Sequence, residues 1–407
     1  MKQCDLLSEW QQVPGILFYP ALCLFLFQFY FNNIRWNISL PGSYRTFFLD
    51  IAGVLCICGL LFVLMMHEHY VWTFLFCILI CVLYFKYEPG WQDLFEAVFI
   101  PAALVIMAAG KNYRTILKCY LGVVAGCYFL ALSGQVFRFT MDAVTYDSHK
   151  IERVGIGHSL GFTHPNSLAI NAFLICLLVW ILWIYRDKVL TFVLFWGAAV
   201  PLWFISKSRT CVLFLIAFPV LALFTGESSR SSSRPVRKTA YTFWVLMPFL
   251  CLAVSLILCQ DLGTLVDMFL NTSVWNLAMR FVAGGIALKT YGIHLLGQEI
   301  DLSGNVMMRI HGANMYLVWV DNGYICSLIK YGALFTAIKL GVISCVHVKC
   351  LRTGNKRLLL LSAVMLLLAV IEGRGLTAEY NPVILALFAQ MESIRGRSEQ
   401  SAGRCCD

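Results

Sequence analysis

Apolar runs of near-bilayer length recur along the whole chain, and this feature limits the possible folds more than any other. A helix needs about 20 predominantly apolar residues to cross the hydrocarbon core of a membrane. The runs lie near residues 14–31, 47–66, 70–85, 94–109, 116–137, 166–184, 189–205, 211–225, 240–259, 316–346, 358–371 and 380–391. We therefore expect an all-α fold, a polytopic transmembrane helical bundle with about twelve spans.

Composition supports the same fold class. The 407 residues are 60% hydrophobic and only 13% charged, and the mean hydropathy is +0.76. Soluble proteins carry about 25% charged residues, so a soluble globular fold is excluded. We predict one integral membrane domain over residues 1–407. The net charge of +9 is explained by membrane topology rather than by nucleic-acid binding, because the basic residues form short clusters between apolar runs.

The basic clusters define one face of the predicted bundle. They alternate with the spans in a self-consistent way, and the positive-inside rule makes their face cytoplasmic. Both termini then lie in the cytoplasm, and residues 226–239 form a cytoplasmic basic loop. The clusters are Lys111, Arg114 and Lys118; Arg186 and Lys188; Arg230, Arg234, Arg237 and Lys238; Lys349, Arg352, Lys356 and Arg357; and Arg395, Arg397 and Arg404.

The opposite face carries arginines that act against this bias. Its segments are 138–165, 206–210, 372–380 and one large extracytoplasmic loop over 260–315. Their arginines favour a common cationic pocket for an anion, although scattered side chains that reach the membrane interface are the alternative. These arginines are Arg153, Arg209, Arg280, Arg309 and Arg374.

Other polar residues mark the same outer segments. In SLGFTHPNSLAIN (159–171), Asn166 and Ser167 can cap a helix with Pro165 ending what precedes it, whereas His164 can equally be functional. Residues 271–301 predict an amphipathic helix and a glycine turn, with Asn276 and Arg280 on one face. An acid near the bilayer, such as Asp321, usually faces a cavity. Further candidates are His311, Asn314, Glu372 and Glu379.

Five of these stretches occur in a familiar order: GFTHPNSLA, SKSRT, SVWNLAMR…ALKTYGIHLLG, DNGYICSLIKYG and GLTAEYNP. Together, over roughly residues 100–390, they resemble the bacterial repeat-unit polymerases of surface polysaccharides, the Wzy type that makes O-antigen, capsule or exopolysaccharide. These polymerases belong to one superfamily with the O-antigen ligases. The resemblance implies a GT-C-like fold in the cytoplasmic membrane.

The resemblance also implies an activity, which is inverting glycosyl transfer at the outer face of the membrane. The donor is a glycan linked to undecaprenyl diphosphate, and the acceptor is a hydroxyl of another lipid-linked unit. The reaction uses no metal and no cofactor, and the chain shows no DxD motif or metal-ligand spacing. The expected partners are lipid-linked glycans, membrane lipid, and a chain-length regulator and flippase of the same pathway.

The residue roles implied by the resemblance follow the charge that develops in this reaction. The leaving diphosphate gains negative charge, so fixed guanidinium groups would stabilise it: Arg209 and Arg280, then Arg309 and Arg374. His311 or Asp321 would take the proton from the attacking hydroxyl, with Glu379 and His164 as alternatives. The ligases place a histidine directly before an asparagine here, whereas this chain has Ala313 before Asn314.

Two other functions are compatible with the sequence. A ligase would move finished glycan to a different acceptor by the same chemistry. A lipid-linked oligosaccharide flippase or another transporter would carry out no reaction, but transporters commonly show two related halves, and no such repeat is evident.

Overall fold

A computed structural model describes residues 13–38, 43–65, 95–144, 156–223, 234–271, 275–300, 306–310, 312–317 and 320–391. The statements below concern these residues, most of which are helical. They form two compact units, of which the first comprises Met1–Phe76, Val98–Ser229 and Phe388–Ser393. The second comprises Cys77–Ala97, Arg230–Leu387 and Ile394–Asp407. The prediction of a single integral membrane domain is not tested by this division and stays a prediction.

The first unit is built from seven described α-helices. Helix α4 (Tyr113–Val136) packs against α1 (Val13–Asn32) and α5 (Pro165–Val179). Helix α5 packs in turn against α6 (Lys188–Ile205) and α7 (Arg209–Leu223). In its core the rings of Phe195 and Phe218 stack with their centroids 4.5 Å apart, and Trp180 meets Phe218 edge-on at 4.9 Å. The helices are α1 (Val13–Asn32), α2 (Ser43–Met65), α3 (Ile100–Met107), α4 (Tyr113–Val136), α5 (Pro165–Val179), α6 (Lys188–Ile205) and α7 (Arg209–Leu223).

The second unit has six described α-helices, a hairpin and two 3₁₀ turns. His347 of α12 (Gly332–Thr353) connects three helices. One of its ring nitrogens lies 2.6 Å from Trp244 O of α8 (Arg234–Gln260), and the other lies 2.6 Å from Ser362 Oγ of α13 (Lys356–Ile371). The helices are α8 (Arg234–Gln260), α9 (Leu262–Asn271), α10 (Trp275–Tyr291), α11 (Gly323–Lys330), α12 (Gly332–Thr353) and α13 (Lys356–Ile371). The strands are β1 (Val306–Ile310) and β2 (Ala313–Leu317), and the turns are Gly373–Leu376 and Pro382–Ala386.

Six helices in the described part of the chain are long and apolar enough to cross a membrane. They are α1, α4, α5 with the π-helical turn Trp180–Ile184, α6, α8 and α12. Helix α6 exposes Val193, Val200 and Phe204, as a lipid-facing helix does because lipid, not protein, covers those side chains. The protein is therefore a membrane protein, and six of the predicted spans correspond to helices that are long and apolar enough to cross. The total of about twelve stays a prediction.

The segment 260–315, predicted as a large extracytoplasmic loop, contains α9 and α10, and α10 lies within the stretch 271–301 for which the sequence predicts an amphipathic helix. After α10 comes the antiparallel hairpin of β1 and β2, where Met308 stands opposite Met315. The position of this segment outside the membrane stays a prediction. The described residues are mostly helical, as the all-α prediction expects, with this hairpin as an addition. Helices α8 and α10 approach closely at Gly285, where an added Cβ would lie 2.4 Å from Cys259 O at the end of α8. Such packing needs glycine rather than a long apolar run, which is why hydropathy missed it.

Three further boundaries differ from the sequence-based prediction. The predicted span 316–346 is interrupted, because α11 ends before Gly332, whose φ is 90°. A Cβ at Gly332 would lie 2.2 Å from Gly297 N, so this break receives the segment after α10. The predicted span 380–391 contains only the short turn Pro382–Ala386, and residues 234–239 of the predicted basic loop begin α8. The predicted span 70–85 lies outside the described residues.

Candidate functional site: a buried charge cluster in the second unit

Arg280 of α10 is the centre of a charge cluster. Its Nη1 donates to Glu372 Oε1 at 2.6 Å and to Ile371 O at 2.7 Å, and its Nε lies 3.3 Å from Asp321 Oδ2. The side chain of Arg280 is only 14% exposed and that of Glu372 8%, whereas Asp321 is 27% exposed. The guanidinium of Arg280 is therefore already paired with two carboxylates. Asp321 is the more exposed of the two, so a ligand reaches it more easily than Glu372.

Asn322 fixes the position of Asp321. Its buried side chain accepts hydrogen bonds from the N–H groups of Tyr324 and Ile325, both at 3.0 Å, and so caps α11. The same amide donates to Val370 O at 2.8 Å, in the last turn of α13. A Cβ at Gly323 would lie 3.0 Å from Gly373 O. The Asp-Asn-Gly motif therefore packs directly against the turn that carries Glu372.

The Gly373–Leu376 turn folds back onto the end of α13. A Cβ at Gly375 would lie 2.6 Å from both Ala369 N and Met365 O, so only glycine fits this approach. The turn brings Arg374 to Tyr380, where Nη1 donates to the phenol oxygen at 3.2 Å and the guanidinium lies 5.5 Å from the ring centre. Burial raises the pKa of Tyr380 although Arg374 acts against it, so the phenol stays protonated.

Two lysines of the second unit, Lys330 and Lys339, were not identified as site residues from the sequence. The Nζ atoms of Lys330 and Lys339 lie 5.7 Å and 5.4 Å from the centre of the Tyr331 ring. Lys339 interacts electrostatically with the buried Glu379. The sequence did contain a signal for them, because both lysines lie within the apolar run 316–346. A charged residue inside such a run usually marks a functional cavity.

The structure brings together only part of the predicted arginine set. Arg309 is exposed on β1 and stands opposite the exposed Asn314 of β2. Arg209 is the first residue of α7 and belongs to the first unit, so its convergence with Arg280 stays a prediction. His311 and Arg153 lie outside the described residues.

The structure corrects the predicted start of α5. His164, rather than Asn166, caps this helix, because its Nδ1 accepts the Asn166 N–H at 3.1 Å. Pro165 is the first helical residue instead of a break before the helix. Proline suits this position since its missing N–H would have no partner inside the helix. A chemical function for His164 or Asn166 stays a prediction.

A second charged site, in the first unit, was missed entirely. Asp142 Oδ2 lies 2.5 Å from His158 Nδ1. Its other oxygen accepts from Ser159 N at 2.7 Å, from Leu160 N at 3.1 Å and from Ser159 Oγ at 3.1 Å. Burial alone would raise the pKa of Asp142, but these hydrogen bonds outweigh it and the pKa is lowered. The two residues are 16 positions apart, and no local sequence pattern connects them.

We compared the chain with protein-family models, with curated proteins and with solved structures, and none of the three comparisons gave a match.

Proposed function

We propose that the protein polymerises lipid-diphosphate-linked oligosaccharide units by inverting glycosyl transfer at the outer face of the cytoplasmic membrane. One observation carries this proposal: the stretches around Arg280, Asp321 and Glu372 meet in a single partly exposed cluster. Arg280 and Glu372 are 92 residues apart in the chain, and each of these stretches belongs to or adjoins a motif on which the resemblance to repeat-unit polymerases depends.

The contacts of Arg280 change its proposed role. A guanidinium that bonds Glu372 and Asp321 is a positioning group, because binding a diphosphate would require it to release a carboxylate. Asp321 is then held as the more exposed carboxylate of the cluster, where it can accept hydrogen bonds from sugar hydroxyls. It gives up part of its pairing with Arg280 if it takes a proton, which weakens its predicted role as the base.

The diphosphate needs positive charge beyond that of Arg280. This charge comes from Lys330, Lys339 and Arg374. The carboxylate of Glu379 offsets part of it, because it interacts with Lys339. Fixed cations in a poorly hydrated site stabilise a leaving diphosphate more strongly than they would in water. Arg209 and Arg309 remain predicted contributors from the sequence.

The proposed setting follows the topology expected from the basic clusters. The chain is a multi-pass protein of the cytoplasmic membrane with both termini in the cytoplasm. Its partners are undecaprenyl-diphosphate-linked glycans and, in the same pathway, a chain-length regulator and a flippase.

The test is the profile of lipid-linked glycans in cells that carry the wild type, Asp321→Asn or Arg280→Lys. Polymerase function predicts that both variants accumulate single repeat units and lose long chains, while Lys289→Ala on the exposed end of α10 does not. Membrane levels of each variant show whether it is folded.

Other profiles would identify a different function. Accumulation of full-length polymer on the lipid carrier would indicate a ligase. Single units confined to the inner leaflet would indicate a flippase. Normal chain lengths in a folded Asp321→Asn protein would exclude the cluster from the reaction.

A further inference from the structure

The Asp142–His158 pair of the first unit is held by backbone contacts on both sides. The N–H of His158 donates to Ile205 O at 2.8 Å, and a Cβ at Gly157 would lie 2.7 Å from Ser206 O. The segment before α5 is therefore fixed against the turn between α6 and α7. Asp142 is fixed in turn by three hydrogen bonds from residues 159 and 160.

The backbone beside the pair is strained in a way that serves this arrangement. Leu160 has a φ of 46°, a left-handed conformation that costs a residue with a side chain free energy. It is followed by Gly161, whose φ is 92° and where a Cβ would lie 2.4 Å from Ala131 O. This turn directs the N–H groups of Ser159 and Leu160 at one oxygen of Asp142, which leaves the other oxygen for His158.

The hydrogen bond to Asp142 determines what the imidazole can do. A carboxylate that accepts backbone N–H bonds stays an acceptor, so Nδ1 of His158 carries the proton. Nε2 of the neutral ring then has a free lone pair. The His158 side chain is 47% exposed, so that nitrogen is accessible to a ligand. A base whose orientation is fixed by a carboxylate is the arrangement that activates hydroxyl nucleophiles.

We propose that His158 is a general base toward a substrate hydroxyl and that Asp142 is its positioning residue. The substrate O–H bond breaks as the Nε2–H bond forms, and the bonding electron pair stays on oxygen, which becomes the nucleophile. Asp142 stabilises the imidazolium, which afterwards returns its proton to solvent. The inference rests on the proposed function for the identity of the hydroxyl, which is that of the acceptor sugar.

The experiment measures chain extension by the purified full-length protein in lipid nanodiscs, from pH 5 to pH 9, with a lipid-diphosphate-linked repeat unit. His158→Gln is expected to lower the maximal rate about 100-fold or more, the usual contribution of a general base. Asp142→Asn is expected to lower kcat less than His158→Gln does and to leave KM unchanged, because the imidazole loses only the group that orients it. His294→Gln, at an exposed histidine of the second unit, is the control.

Two results would overturn the inference while leaving the proposed function intact. One is a His158→Gln protein with a wild-type rate and pH profile. The other is an Asp142→Asn protein whose rate falls only in parallel with its folded fraction, which is the behaviour of a residue with a purely structural role. If the wild type itself extends no chain, the proposed function fails, and the inference then fails with it.

Discussion

Two charged sites among the described residues hold their charged groups in different ways. In the second unit, Arg280 is only 14% exposed and its partners include two carboxylates and one carbonyl oxygen. In the first unit, Asp142 accepts two backbone N–H groups and one hydroxyl from a single turn, and its imidazole partner, His158, is exposed. The first arrangement depends on side chains from separate elements, whereas the second depends on one strained turn.

This difference predicts where stability and where reactivity are concentrated. A buried charge that loses its partner is left uncompensated in a poorly solvated site, which costs about 3–5 kcal/mol. An exposed pair contributes only about 0–1 kcal/mol, because water replaces the lost partner. Substitutions in the Arg280 cluster should therefore affect folding first, and substitutions at Asp142–His158 should affect proton transfer first.

The largest effect is expected for Arg280→Met. Glu372 would remain buried without its cation and Ile371 O would lose its donor, so the free energy of unfolding should fall by about 3–5 kcal/mol. Unfolding by urea in detergent micelles measures this change. Arg280→Lys keeps the charge but lacks the planar fork and should fall between the two proteins. A loss below about 1 kcal/mol for Arg280→Met would mean that the cluster is solvated and that the contrast with the first unit does not hold.

A smaller effect is expected for Asn322→Ala. This change removes the cap of α11, worth about 1 kcal/mol, and the hydrogen bond to Val370 O, worth about another 1 kcal/mol. The expected loss of unfolding free energy is therefore about 2 kcal/mol. Asn112→Ala is the matched control, because the Asn112 side chain caps α4 by accepting the Arg114 N–H and should lose only about 1 kcal/mol. Equal losses in the two variants would show that the bond to Val370 contributes nothing.

The sequence predicts those parts of the fold that depend on neighbouring residues and not those that depend on contacts between distant ones. Helices α4 to α7 follow from local hydropathy, and their bounds agree closely with the apolar runs. The break at Gly332 and the close approach of α8 and α10 at Gly285 depend on contacts with distant backbone atoms, which no local window contains. Hydropathy therefore merged two helices, α11 and α12, into one span.

The candidate functional site shows the same difference between single residues, which the sequence identifies, and their contacts, which it does not. Arg280, Asp321 and Arg374 were identified because charged residues stand out against apolar surroundings. Their pairing was not predicted, because an expectation based on positive charge alone treats each arginine as available to an anion. Asp142 and His158 were missed since neither residue stands in a motif, and only the turn at Leu160 brings them together.

The pH dependence of the first site is expected to give an effect of about 1 kcal/mol. The pKa of Asp142 is lower in the folded protein than its ordinary value of 3.8. Its contribution is therefore complete above that value and is lost as the pH falls through the folded pKa. Asp142→Asn should lower the unfolding free energy at pH 7, and the difference from the wild type should shrink on acidification. A pH-independent difference between Asp142→Asn and the wild type would contradict the argument.

The smallest effect is expected for Arg309→Met on the hairpin. Arg309 is exposed and stands across from Asn314, so its removal should change the free energy of unfolding by no more than about 0.5 kcal/mol. This makes Arg309→Met the reference for Arg280→Met, since both changes remove one guanidinium and add the same apolar side chain. A loss above about 1 kcal/mol would show that the hairpin arginine has a structural partner and that burial does not separate the two arginines. Because the variant should stay folded, the same protein tests the role predicted for Arg309 from the sequence: shorter glycan chains at unchanged stability would assign it to substrate rather than to the fold.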